Sequence, residues 1–197
     1  MTSLLAPSRP VPSDADVFRE GMIAEMPNLR AFAISLCGNV DRADDLVQET
    51  LLKAWSSADR FEAGTNLRAW LFTILRNTYF SIHRRRGREV QDSDGLHANR
   101  IATAAPQESA MEMQEFRVAL TKISEEHREA LLLVGASGFS YEEAAEVCGV
   151  AVGTVKSRVN RARAKLAELL GIDGPRDIGS GPLSDAVVKR SAGGSRG

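Results

Sequence analysis

The run Gly153-Thr-Val-Lys-Ser-Arg-Val-Asn-Arg-Ala-Arg-Ala-Lys165 gathers Lys156, Arg158, Arg161, Arg163 and Lys165 into one short stretch. Guanidinium and ammonium groups at this density bind anions, phosphates above all. Interleaved with them, Val155, Val159, Ala162 and Leu166 recur at helical spacing and predict an apolar seam on the opposite side of the same helix. Upstream, Ser140-Tyr-Glu-Glu143 has the form of a capping box that opens another helix. Gly149 then stops that helix, because glycine accepts the left-handed backbone at a helix C-terminus. Helix, short turn and basic helix form a helix-turn-helix, whose second helix fits the major groove of duplex DNA.

Two further charged stretches lie upstream. Asp41, Asp44, Asp45 and Glu49 are acidic, while Arg84-Arg85-Arg86 and Arg88 are basic. The net charge is only -1, so charge is segregated along the chain instead of spread as on a nucleic-acid coat. Local patches in a near-neutral total suit a protein with two kinds of partner, one of them anionic. No base-activated nucleophile, phosphate loop or metal set stands out, so no catalytic chemistry, cofactor or small-molecule substrate is expected. His83, His97 and His127 have no metal-ligand spacing with each other or with Cys37 and Cys148. The two cysteines sit in apolar helical contexts and read as small buried hydrophobes in a reducing compartment.

These groups need a scaffold. With 43% hydrophobic and 26% charged residues over 197 positions, the composition is globular and allows one ordinary domain or two small ones. No apolar run reaches membrane-spanning length and no secretory signal is visible, so a cytoplasmic protein without membrane contact is expected. Periodicity predicts an all-α chain. A flexible tail covers 1–15, a first helical domain 16–88, a linker 89–112, a second helical domain 113–171, and a disordered tail 172–197 with a short helix around Asp185–Lys189.

The first domain reads as three helices. One runs over about Val17–Cys37, interrupted or bent near Pro27. A second covers about Arg42–Ala58, with Leu46, Val47, Leu51, Ala54 and Trp55 as its stripe. After a loop at Asp59–Asn66, the third covers about Leu67–Arg86, with Trp70, Leu71, Ile74 and Leu75 inward. Taken singly, an acidic face is an ordinary solvated face, a basic helix end complements the helix dipole, and aromatics are ordinary core. Their order is more specific than any one of them.

That order resembles the extracytoplasmic-function (ECF) group of bacterial sigma factors, in the sigma-70 family. The resemblance covers about Val17 to Leu170. Asp44-Asp-Leu-Val-Gln-Glu-Thr-Leu-Leu-Lys-Ala-Trp55 is similar to the family's region 2 helix, Phe61–Arg88 to its –10 segment, and Gly153–Arg158 with Arg161-Ala-Arg163 to its –35 helix. Thr78-Tyr-Phe-Ser81 and Cys148-Gly149 with Ala151–Ser157 further resemble the EcfG-type general-stress-response group. Two departures stand out: Ser81 where many relatives have Asp, and Ala151 where a capping Ser is common, which forgoes about 1 kcal/mol.

The resemblance implies a region 2 bundle and a region 4 helix-turn-helix that together direct promoter-specific initiation by core RNA polymerase. It assigns core-polymerase binding to Asp44, Asp45, Gln48, Glu49, Leu52 and Lys53. For the –10 element of promoter DNA it points to Phe61, Gly64, Thr65, Asn66, Arg76, Asn77, Arg84, Arg85, Arg86 and Arg88. Thr154, Lys156, Ser157, Arg158, Arg161 and Arg163 are expected at the –35 element. It also implies an anti-sigma factor of NepR type. A linker of about twenty residues extends to ~70 Å, comparable with the roughly 70 Å between elements two helical turns apart. The alternatives are a sigma-like decoy that binds an anti-sigma factor without activating promoters, and an ordinary helix-turn-helix regulator, which leaves Asp44–Arg88 unused.

Overall fold

The computed structural model describes residues 14–62, 64–89 and 107–171; the expected helix at Asp185–Lys189, the expected tail at 172–197 and positions 1–13 lie outside them, while positions 14 and 15, expected in the first tail, begin helix α1. The described residues form an all-α fold of seven α-helices: α1 Asp14–Cys37, α2 Val40–Ser56, α3 Leu67–Glu89, α4 Gln107–Thr121, α5 Glu125–Gly135, α6 Tyr141–Cys148 and α7 Val152–Leu170, with a 3-10 turn at Ala58–Arg60. None of them is long and apolar enough to cross a membrane.

Helices α1 to α3 form the first bundle. Leu29, Phe32, Ala33 and Leu36 of α1 meet Ala43, Leu46, Val47 and Ala54 of α2 and Leu71, Phe72 and Leu75 of α3, all buried. Helix α1 approaches α3 so closely at Gly21 that a Cβ there would lie 2.6 Å from Leu67 Cδ2. Pro27 does not interrupt α1, which runs unbroken through it. The carbonyl of Ile23 loses its intrahelical donor, but Pro27 and Ile23 are both exposed, so water can take that donor's place. Asn39 caps α2 by accepting a 2.8 Å bond from the Arg42 amide. Trp55 departs from the expected stripe: it is 57% exposed. Ala43, Leu46, Val47, Thr50 and Ala54 already fill the inward arc of α2, and Trp55 falls beyond it.

Helices α4 to α7 form the second bundle around Leu131, Leu133, Val147, Val155, Val159 and Leu166. Helix α4 starts at Gln107, inside the stretch expected as linker. Its first residues, Gln-Glu-Ser-Ala-Met-Glu-Met, are mostly good helix formers placed directly after Pro106, a common entry into a helix.

The bundles pack against each other, α3 on α6 and α1 on α5. Phe72 of the first meets Phe139 of the second edge-on, with centroids 4.9 Å apart. Both rings are buried, so the two cores are continuous across this seam.

Candidate nucleic-acid and polymerase interface

The helix-turn-helix is built as its residues dictate. Ser140 and Glu143 close the capping box reciprocally, with the Glu143 amide donating to Ser140 Oγ at 3.1 Å and the Ser140 amide to Glu143 Oε2 at 2.9 Å. The exchange holds the Glu143 carboxyl below its usual range. Gly149 ends α6 at φ 65, the left-handed region. Ala151 starts α7 with no side-chain cap, so α7 is held by packing of Val155, Val159, Ala162 and Leu166.

The basic residues of α7 divide between two sides. Lys156, Arg161 and Lys165 are exposed. Lys156 Nζ sits 5.7 Å over the Tyr141 ring, and Lys165 pairs with Glu168 at 2.7 Å. The Arg158 side chain is only 17% exposed and turns toward α5, 4.0 Å from Glu126. Arg163 and Thr154 are half-buried, and the Ser157 hydroxyl donates to the Thr154 carbonyl at 2.8 Å. Asn160, which the positive charges overshadow in the sequence, is exposed on the same side as Arg161.

On α2 an outward strip combines Asp45, Gln48, Leu52 and Trp55, all exposed, with Leu52 at 71%. The remaining expected residues there have partners within the chain. Asp44 takes a two-point contact from Arg30, at 2.6 and 3.0 Å, and the guanidinium lowers its carboxyl below the usual range. Glu49 and Lys53 pair at 2.7 Å, and Lys53 also reaches Thr78 Oγ1 at 3.1 Å.

Of the residues expected at the –10 element, Asn66 and Arg76 meet the other bundle; the rest of those described lie within their own bundle or exposed. Phe61 packs into an aromatic cluster, 5.5 Å from Phe18 and 5.4 Å from Trp70. Gly64 takes φ 90 in an exposed turn, and Thr65 closes that turn by donating to the Glu62 carbonyl at 2.7 Å. Asn66 caps α3, its Oδ1 accepting from the Ala69 amide at 3.0 Å, while its Nδ2 donates to Glu143 of α6 at 3.0 Å. Arg76 lies over the Phe80 ring and pairs across the seam with Glu129 at 2.6 Å. Asn77 is exposed and accepts a 3.3 Å bond from Arg76. Arg84 and Arg85 are exposed on the last turns of α3, where Arg86 and Arg88 also lie.

Sequence reasoning missed the seam residues. Glu129 is fully buried, and that burial raises its carboxyl pKa against the pull of Arg76. Arg128 donates to the Tyr79 hydroxyl at 3.2 Å, and burial pushes that phenol up to about 12. Arg68 stacks on Phe139 at 4.7 Å, donates to the Ser137 carbonyl and lies 3.4 Å from Glu25. His83 meets Glu125 at 2.9 Å. None of Glu129, Arg128, Arg68 and His83 carried a local signal, because each meets a partner more than forty residues away.

The Sigma-70 region 2 family model matches residues 22–89, and the Sigma-70, region 4 model matches residues 113–166. The ECF RNA polymerase sigma factor EcfG of Rhodopseudomonas palustris (strain TIE-1) is 57% identical over 173 residues, spanning 88% of this chain and 96% of that protein. The chain belongs to the ECF RNA polymerase sigma factors. This sigma factor is also 31% identical over 157 residues to the RNA polymerase sigma factor CarQ of Myxococcus xanthus, covering 79% of the chain and 90% of the relative. Among solved structures it resembles the sigma factor RpoE from Bartonella quintana, crystallised in complex with the anti-sigma factor NepR. That likeness has a TM-score of 0.73 at 54% identity and covers 80% of this chain and 99% of that one.

The expectation of inert cysteines agrees with the surroundings of Cys148. It is buried beside Glu129, and burial pushes its thiol up to about 12, far from the thiolate that redox chemistry needs. Among the described residues no group of His, Cys, Asp or Glu is arranged to hold a metal ion.

Proposed function

We propose that this sigma factor docks on core polymerase through the outward strip of α2 and carries two DNA readers that part from each other to engage one promoter. The observation that carries this reading is an asymmetry between its surfaces. Asp45, Gln48, Leu52 and Trp55 stand open on α2, whereas Asn66 and Arg76 are held by Glu143 and Glu129 of the other bundle. An exposed Leu–Trp pair ringed by polar groups is the composition of an interface core with a polar rim. The polymerase-facing strip is therefore free in the closed chain, while Arg76 of α3 and its N-cap Asn66 are tied to the other bundle.

Reading a –10 element requires bases to leave the stack at a cost of a few kcal/mol, repaid by a pocket and by cations along the backbone. In this account Gly64, Thr65, Asn66 and Asn77 line that pocket once the seam opens, and Arg84, Arg85, Arg86 and Arg88 follow the phosphates. Arg76, released from Glu129, joins them. At the –35 element Lys156, Ser157 and Arg161 face the groove, and Thr154 and Arg163 lie at its margins. Arg158 acts from behind, fixing α7 on α5. The division into a region 2 domain at 16–88 and a region 4 domain at 113–171 follows from the same reading. So does a cytoplasmic, non-enzymatic role in a general stress response. An anti-sigma factor would act by holding the seam shut, in keeping with the complex in which the similar RpoE was solved.

DNase footprinting of core polymerase plus this chain on a responsive promoter tests the reading. Two protected segments roughly 70 Å apart along the duplex are expected. A single protected segment that needs no polymerase would support a conventional helix-turn-helix regulator instead, and none at all would support a decoy.

A further inference from the structure

We propose that Asn160 is the adenine-specifying residue of the α7 recognition surface, reading one base pair of the upstream promoter element through the adenine N6 and N7. The inference rests on the proposed DNA-binding role of α7 and sharpens it. Helix α7 buries Val155, Val159, Ala162 and Leu166. The middle of the opposite face, followed along the helix, is Gly153, Ser157 and Ala164, with Asn160 and Arg161 flanking it on either side. The three middle residues are small, so the helix backbone can approach the groove floor closely, and Asn160 and Arg161 project from either side of that line.

The cations flank this line. Arg158 is turned onto α5, Lys156 lies over Tyr141 at one margin, and Lys165 is paired with Glu168 one turn further on. The Asn160 side chain makes no hydrogen bond among the described residues, so its carboxamide keeps both a donor and an acceptor for a ligand. That pairing of functions matches adenine, which presents an N6 donor beside an N7 acceptor in the major groove, and asparagine contacts it at both points. The residue is also locally unfavourable. Asparagine is a poor helix former, and here it gains neither packing nor an intrahelical partner. It lies on the second helix of the helix-turn-helix, the element that enters the major groove.

The test uses the full chain with core polymerase on promoters randomised across the upstream element. The wild-type protein should prefer adenine at one position. Asn160→Ala should lose that preference by roughly 5- to 100-fold while the other positions keep theirs. Replacing the adenine by 7-deazaadenine, which lacks N7, should penalise the wild type and leave Asn160→Ala unaffected. The melting temperature of the variant should equal or exceed that of the wild type, which separates lost reading from lost fold. Unchanged selectivity would overturn the inference, as would a uniform weakening on every sequence, which marks a phosphate contact. If Asn160→Ala is unchanged but Arg161→Ala impairs use of the element, only the Asn160 assignment fails. If the wild type ignores the element altogether, the DNA-binding reading of α7 fails with it.

Discussion

Breaking the Arg76–Glu129 pair should open the seam, and the size of the effect can be worked out from its surroundings. Glu129 is fully buried, while the Arg76 side chain keeps 20% exposure at the edge of the seam. Arg76→Ala removes the cation paired with that carboxylate among the described residues and leaves it buried with only the Cys148 thiol and the charge of Arg158 to offset it, which costs the closed form about 3–5 kcal/mol. At about 1.4 kcal/mol per factor of ten, the ratio of closed to open molecules falls by at least two powers of ten. Glu129→Gln behaves differently. It keeps the shape, leaves Arg76 a neutral acceptor and removes a charge whose burial is already unfavourable, so the loss is about 1 kcal/mol. The double variant Arg76→Ala/Glu129→Gln should therefore recover about 2 kcal/mol of what Arg76→Ala alone loses. Energy transfer between labels at the exposed Arg42 and Lys165 positions reads the separation of the bundles, and urea titration reads the free energy. If Arg76→Ala keeps the wild-type distance distribution and urea midpoint, or the double variant is no more compact than the single, the pair does not hold the seam.

Other perturbations separate the surfaces. Leu52→Ala/Trp55→Ala should weaken polymerase binding by at least tenfold, measured by displacement of labelled chain from core enzyme, with the melting temperature nearly unchanged because both side chains face solvent. Arg158→Ala should lower the melting temperature, because its guanidinium packs against α5, whereas Arg161→Ala should reduce –35-dependent transcription with the melting temperature kept; calorimetry and promoter assays distinguish them. Ser140→Ala should cost about 1 kcal/mol in urea unfolding by opening the capping box. The Glu143 carboxyl is lowered in the folded chain, so its capping contribution is present above the ordinary glutamate pKa and lost as pH falls through the lowered value. The difference in urea stability between wild type and Glu143→Ala should therefore shrink on acidification below the usual glutamate range.

The local grammar of the chain was legible. Ser140 with Glu143, Gly149, the uncapped Ala151 and the Val155–Leu166 seam are neighbours in sequence, and each adopts the structure that its own side chain or lack of one imposes. The outward turn of Trp55 was also readable, since it follows Gln48 and Leu52 around the helix, but hydrophobicity alone suggested the core. What could not be read was the capture of hydrogen-bond donors by distant acids. Arg76 and Glu129 are 53 residues apart, and Asn66 and Glu143 are 77 apart. Nothing local to Arg76 distinguishes it from Arg84, although one is held at a buried carboxylate and the other lies exposed. For the same reason a count of positive charges on α7 gave Arg158 and Arg161 equal standing, while the packing of α5 separates them.

Start-site mapping by primer extension on the transcripts that purified core polymerase makes with and without this chain tests the central claim most directly. Discrete new starts should appear downstream of paired upstream and downstream elements, and either scrambled element should abolish them. Unchanged start sites after addition of the chain, on genomic DNA containing every promoter of its host, would contradict the account.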